Sequence, residues 1–422
     1  MEQGNQSTPS RRKVLGAVGA TAGLIGVQEV SAGNSQEGGQ ERGDWLMEGL
    51  NSGGTNHAPS ASAPTSEEIS HSWSVELSET PLHAPIVVNK RAFVPSDGPK
   101  PRIHAVDVQS GERAWERKLD GVTKTSVVSD GGGPAVGVST TRRNESPGVR
   151  SFDDDGRPRS KRVFNKFGYN TAKRYDGRIY FGTEGGEVLS VETGSLAESW
   201  QRTDFLTHAR VLSLVAASGT VIVGTLNQPY NNGENDGRGG KTGTVTAFDS
   251  GSGSDAWQRE FTTPVMSVAA AGGAVVASSE RQLTLLDIET GDTLWSVEQT
   301  GAGGGIALTD SRVITGGSGH IRAHSLQNGE KIWDTDFGSG TPSPVVADDR
   351  VYVSVGGIPA EKIALDDGTT RPAPNGRLVV LDYEDGTARQ QYEFDADRIS
   401  QPVVAQNTVF VTDHSGNIHA FE

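Results

Sequence analysis

The sequence predicts an all-β fold, an eight-bladed β-propeller of four-stranded antiparallel blades whose last blade is closed by an N-terminal strand. Three observations predict it. A strand-turn-strand pattern recurs along the chain with a glycine four residues before a tryptophan, a second hairpin precedes each copy, and the last copy is only half there.

The clearest copy is "LTLLDIETGDTLW", Leu283 to Trp295. "IHAVDVQSGERAW" (Ile103 to Trp115), "VTAFDSGSGSDAW" (Val245 to Trp257) and "IRAHSLQNGEKIW" (Ile321 to Trp333) share its outline. Apolar β-formers fill the first arm, and Asp107, Asp249 and Asp287 stand where an aspartate caps a turn. Gly111, Gly253, Gly291 and Gly329 supply the positive φ that the turn requires. Degenerate copies run from Val188 to Trp200, from Leu378 to Gln390 with Asp382 and Gly386, and from Val149 to Lys161. "IHAFE" at Ile418 opens the eighth. Upstream hairpins such as "VVNKRAFV" from Val87 and "VAAAGGAVVA" from Val268 bring each unit to four short strands, and the spacing from Leu283 to Ile321 is 38 residues, a propeller-blade period.

The eighth copy lacks its outer strand. "HSWSVEL", His71 to Leu77, supplies the missing piece, because Trp73 stands where the repeat's tryptophan belongs. Pairing of the two segments closes the ring and removes an open sheet edge. Trp73, Trp115, Trp200, Trp257, Trp295 and Trp333 all occupy one repeat position, which predicts docking residues buried between neighbouring blades.

Ahead of the propeller, assigned to residues 71–422, lie an export signal (1–32) and a tether with lead-in (33–70). Arg11, Arg12 and Lys13 precede an apolar run from Val14 to Val27, followed by small residues around Ser31. The Arg11-Arg12 pair resembles the twin-arginine signal, whose route exports folded proteins, so the mature chain is expected outside the cytoplasm. The apolar run is shorter than a spanning helix needs, which predicts removal of the signal and no transmembrane anchor. Residues 33–43 are polar, glycine-rich and without periodicity.

The chain has no cysteine, which excludes disulfides, thiolate metal sites and a cysteine nucleophile. Its 38 basic and 53 acidic residues give a net charge of −15, which disfavours nucleic acid and anionic lipid as partners. Only 11 of the basic residues are lysine, and acidic excess with few lysines resembles proteins of halophilic archaea.

The repeat outline, A-x-D-x-x-[TS]-G-x-x-x-W eight times over, resembles the PQQ-like propeller repeat of quinoprotein dehydrogenases and of the outer-membrane assembly lipoprotein BamB. "DWLMEGLNSGGTNHAP" near Trp45 is similar to the lead-in of many such proteins. For the dehydrogenases the resemblance implies pyrroloquinoline quinone in the central funnel, a calcium ion and an aspartate base. For BamB-like members it implies a cofactor-free docking surface. This chain departs from the enzymes: it has no vicinal cysteine pair and little length beyond the strands, and no stretch matches the calcium ligands or the base. No catalytic residue is assigned.

Two second-to-third strand connections are expanded, 226–243 and 356–377, with smaller expansions at 95–102 and 140–148. All four belong to one face, where protein or small-ligand recognition is expected. In the first, Asn231, Asn232, Glu234, Asn235 and Asp236 offer oxygen ligands suited to calcium, although their spacing is not that of an EF-hand and a solvated turn uses the same residue types. Asn144 begins a glycosylation sequon. The "DHS" run at Asp413 to Ser415 holds triad residue types, but turn neighbours cannot form a relay. His104 and His419 occupy equivalent strand positions without zinc-ligand partners.

The expected protein is therefore a monomeric extracytoplasmic binding or assembly scaffold, non-catalytic and needing no cofactor. The alternative is a PQQ- and calcium-dependent dehydrogenase oxidising an alcohol or sugar.

Overall fold

A computed structural model describes residues 43–422 apart from 60–61, 79, 82, 124–126, 140–146, 164–168, 204–208, 228–240, 302, 339, 357–362, 365–369 and 372–375. The described chain forms eight antiparallel sheets in a ring, blades 1 to 8, whose third strands from the axis are Arg102–Asp107, Gly148–Phe152, Val188–Glu192, Gly243–Asp249, Gln282–Asp287, His320–Ser325, Arg377–Asp382 and Asn417–Phe421. The chain lays each blade down from the axis outward, except that the outer strand of blade 8 is the N-terminal His71–Glu76. Blade 5 is a regular example, with strands Val265–Ala271, Ala274–Ser279, Gln282–Asp287 and Thr293–Glu298. The middle strands are buried on both faces, as in Val275, Val276 and Ala277, because blades pack face to face. Outer strands alternate between exposed and half-buried.

The ring closes as the half-copy requires. His71–Glu76 pairs antiparallel with Asn417–Phe421, in the register His71 opposite Phe421 and Glu76 opposite Asn417. Ser70 and Glu422 exchange backbone hydrogen bonds of 2.7 and 3.0 Å, so two distant parts of the chain complete one blade.

Neighbouring blades are joined by a repeated contact. The indole Nε1 of Trp73, Trp115, Trp200, Trp257, Trp295 and Trp333 donates to a carbonyl in the outer turn of the next blade, at 2.7 to 3.1 Å. The ring itself lies on that turn's glycine: a Cβ added to Gly111, Gly156, Gly253, Gly291, Gly329 or Gly386 would come within 2.6 to 2.8 Å of it. These glycines have φ between +71° and +75°. They are needed twice over, once for the left-handed backbone and once because the indole occupies the side-chain space. Capping is also as expected: Asp107 Oδ1 accepts from the Gln109 and Ser110 amides at 3.0 and 2.9 Å, and the Ser110 amide holds its carboxyl below the usual range.

Two blades lack the tryptophan, and each replaces it differently. Ser160 of blade 2 donates to Gly194 O at 2.6 Å. Gln390 of blade 7 faces the place where blade 8 would have its outer turn, but there the chain comes in from the lead-in instead. Its amide pairs with the Ile69 backbone, donating to O at 2.7 Å and accepting from N at 3.1 Å.

Residues 43–59 and 62, part of the segment set apart in sequence as a lead-in, run round the inside of the ring and bond to every blade in turn. Gly43 O accepts from Gln406 N in blade 8, and Trp45 exchanges bonds of 2.7 and 2.9 Å with Val87 in blade 1. Leu46 O takes Ser129 N in blade 2, and Met47 and Glu48 accept from Arg174 N and Lys173 Nζ in blade 3. Ser52 O takes Ala216 N, Gly53 O takes Ala270 N, Thr55 O takes Leu308 N and Asn56 O takes Val346 N, in blades 4 to 7. Ser62 O returns to blade 8 at Asn407 N. His57–Ala58 adds a short parallel pair to blade 7. The strap satisfies amides on innermost strand edges that have no other strand beside them.

Two stability outcomes follow. Gly291→Ala and Gly273→Ala both place alanine at positive φ, +72° and +84°, but nothing lies within 4 Å of a Cβ at Gly273. Denaturant unfolding is expected to show Gly291→Ala less stable than Gly273→Ala by about 1–3 kcal/mol, the cost of displacing a packed ring. Deleting residues 71–77 is expected to lower the melting temperature far more than deleting 33–43; equal melting temperatures would refute strand-paired closure.

Candidate functional site

The strand order puts all four expanded connections between second and third strands, on the face where blade also passes to blade. Their bases are pinned. Asn227 and Thr242 exchange backbone bonds of 2.8 and 3.2 Å below the blade 4 loop, and the blade 7 insertion carries its own ladder, Ile363–Ala364 with Thr370–Arg371. The calcium candidates Asn231, Asn232, Glu234, Asn235 and Asp236 lie outside the described residues, as does Asn144. Among the described residues no group of three or more His, Asp or Glu is placed to hold a metal ion.

The strap bonds the innermost strands near their hairpin turns, the end opposite the long loops. It forms a floor across the channel, and above it is a cavity of about 250 Å³. Glu48, Gly49, Gly54 and Asn56 of the strap line it, with Lys173, Ser213, Ser343 and Gln401 on the walls. Lys173 reaches it because Thr171 and Lys173 alternate with the buried Ala172 along an innermost strand. Glycines make room for the ammonium: a Cβ at Gly49 or Gly54 would come 3.1 or 3.7 Å from Nζ.

Lys173 is buried and donates to the Glu48 carbonyl oxygen. Burial pushes its amine down to about 8, opposed by the Glu48 charge. Asn56, also buried, donates from Nδ2 to Ile306 O at 2.7 Å and leaves Oδ1 without a partner, while Gln401 leaves Nε2 without one. Both amide groups approach Gly305, whose Cβ would lie 3.6 Å from either nitrogen.

The implied quinone and calcium do not fit this lining. Calcium takes six to eight oxygen ligands, typically including several carboxylates, and the only described carboxylate here is Glu48. No aromatic side chain is among the described residues of the cavity wall, so no flat surface is offered to a tricyclic ring. A larger open cleft of about 830 Å³ lies between blades 5 and 6, but its Asp334 is already engaged by Arg322, Lys331 and His320 at 3.2, 3.1 and 2.8 Å.

Of the remaining sequence candidates, Arg11 and Arg12 lie outside the described residues, and the histidines and the "DHS" run are engaged with neighbouring groups. His104 is buried with Nε2 2.9 Å from Ser96 Oγ, and burial, aided by Arg113 and Arg102, pushes it down to about 4. The "DHS" residues diverge: Asp413 pairs with His419 at 2.8 Å, His414 Nδ1 lies 3.9 Å from Asp397, and Ser415 donates to Asp395 O. Sequence reading passed over Lys173, Asn56 and Gln401. The alternation around Lys173 in "YNTAKRY" was the available signal, since a lysine on the free face of an innermost strand must enter the channel.

The family model described as "Outer membrane protein assembly factor BamB" matches residues 241–422. No curated protein sequence matches the chain. Among solved structures it is similar to BamB from Moraxella catarrhalis, at 16% identity and TM-score 0.62 over 84% of this chain and 100% of that one. It is also similar to quinohemoprotein alcohol dehydrogenase from Comamonas testosteroni, at 11% identity and TM-score 0.69 over 90% and 81%. Sqt1 from Saccharomyces cerevisiae aligns at 13% identity and TM-score 0.61 over 83% and 98%. These likenesses support a PQQ-like β-propeller, and at such identities the structures bear on fold alone.

The buried amine generates a pH outcome. A lysine whose folded value lies below its unfolded one binds fewer protons folded than unfolded, so stability rises with pH across the gap. Relative to Lys173→Met, the parent protein is expected to gain stability as pH rises from about 8 toward the ordinary lysine value of 10.5, read as denaturant midpoints at each pH.

Proposed function

We propose that this protein is an extracytoplasmic binding or assembly scaffold without catalysis of its own, which uses the long-loop face to hold a partner. The observation that carries this reading is the placement of the chain's elaboration. The two large insertions, on blades 4 and 7, and the two smaller ones, on blades 1 and 2, are all second-to-third strand connections and so belong to one face. Loops that add nothing to a core are where recognition is placed on a rigid frame. The arginine pair and apolar run of the leader support export, and the acidic balance directs the partner search to proteins or small ligands rather than nucleic acid. The cavity wall counts against the dehydrogenase alternative, since its described groups match neither a calcium shell nor a planar ring.

The test has two arms on purified mature protein in high salt. Pyrroloquinoline quinone with calcium is titrated in, following thermal shift together with dye-linked oxidation of alcohols and sugars; neither stabilisation nor turnover is expected. The protein is then immobilised against exported proteins of the same cells, beside a variant whose residues 228–240 and 357–375 are replaced by short glycine-serine turns. Partner retention is expected to vanish in that variant while its melting temperature stays close to the parent's. Saturable stabilisation with turnover overturns the scaffold reading, and so does equal retention by the trimmed variant.

A further inference from the structure

The cavity above the strap carries more unmet bonding capacity than packing requires. Asn56 is buried with its Oδ1 unpartnered, and an acceptor left so is costly unless something donates to it. Gln401 Nε2 is a donor in the same condition. Lys173 brings a cation whose described hydrogen bond goes to a neutral carbonyl, which leaves two of its N–H groups for a guest. Lys173 and Glu48 are the charged side chains among the described lining.

We infer that the central cavity is a binding site for a small polyhydroxy monocarboxylate, a compound of the sugar-acid class, with its carboxylate on Lys173 and hydroxyl groups between Asn56 and Gln401.

Each part of that chemistry answers a group on the wall. The Lys173 cation attracts a carboxylate, and the Glu48 charge close by opposes any second negative charge, which disfavours a polyanion such as a phosphate ester. An unpartnered acceptor beside an unpartnered donor requires a guest that can both give and take hydrogen bonds, which a hydroxyl does and an alkyl chain does not. Ser213 and Ser343 extend the polar lining. The volume of about 250 Å³ falls below the range of roughly 300–1,000 Å³ that holds drug-sized ligands, which suits a metabolite of a few carbons.

Isothermal titration of the mature protein with sodium gluconate tests this, against sodium chloride at equal ionic strength and against glucose. Saturable heat is expected with gluconate alone. Affinity is expected to drop by about tenfold or more in Lys173→Met, the scale of a lost hydrogen bond between charged groups, and by about fivefold in Gln401→Ala, the scale of a neutral one. In the parent it is expected to weaken as pH rises through the range where the Lys173 ammonium loses its proton. Absence of saturable heat overturns the inference, as does glucose binding as well as gluconate, or gluconate binding unchanged in the variants. Should Lys173→Met not fold, Gln401→Ala and the pH profile of the parent decide by themselves.

Discussion

Blade is joined to blade by an indole laid on a turn glycine. Each ring on burial removes roughly 150–250 Å² from water, which at about 25 cal/mol/Å² corresponds to some 4–6 kcal/mol as an upper bound. Six such contacts follow one another round the ring, and each also has its indole N–H satisfied by a carbonyl of the turn it covers. The contact forces the glycine, and the glycine's left-handed φ forces the tight turn. One requirement therefore explains why the same few residues return at the same spacing through a chain whose other positions vary freely. Where the tryptophan is missing the joint is made by hydrogen bonds. At Gln390 the replacement is tied to the ring's seam, because the turn that an indole would cover has been exchanged for the incoming lead-in.

The ring leaves a second problem at its centre. Innermost strands have no neighbour on their axial side, so part of their backbone faces the channel unpaired. The strap answers this by giving carbonyls to blade after blade, and in doing so it converts a through-channel into a cup. That cup sits beneath the face with the long loops. A floor built from the chain also brings Asn56 and Glu48 to the cavity, and its glycines let the Lys173 amine in. A segment whose first task is backbone satisfaction thus decides the chemistry of a polar pocket on the axis.

Function separates from fold at this point. The neighbours in structure include a BamB and a quinohemoprotein alcohol dehydrogenase on nearly the same frame, and what distinguishes such proteins lies in loops and channel walls, which the repeat does not specify. In this chain the described wall offers one amine, one carboxylate and two unpartnered amide atoms.

Much of the architecture was legible in the residues themselves. Gly291 and Trp295, four apart in one copy after another, announce the turn and the strand that follows, and Trp73 identifies the N-terminal strand as the missing part of the last blade. Local rules suffice there, since turn chemistry and strand alternation act over a few residues. Other relations needed the folded ring. Trp257 rests on Gly291 of the next blade rather than on the glycine of its own copy, a contact that no single repeat contains. The described strap, residues 43–59 and 62, has no period of its own, because successive short stretches of it meet different blades. Lys173, Asn56 and Gln401 are far apart in sequence and come together only because the sheets curve into a closed circle. Periodic sequence thus determined the blades and their order, while the tertiary structure decided what faces the axis, for the physical reason that a channel is made by closure and has no local signature.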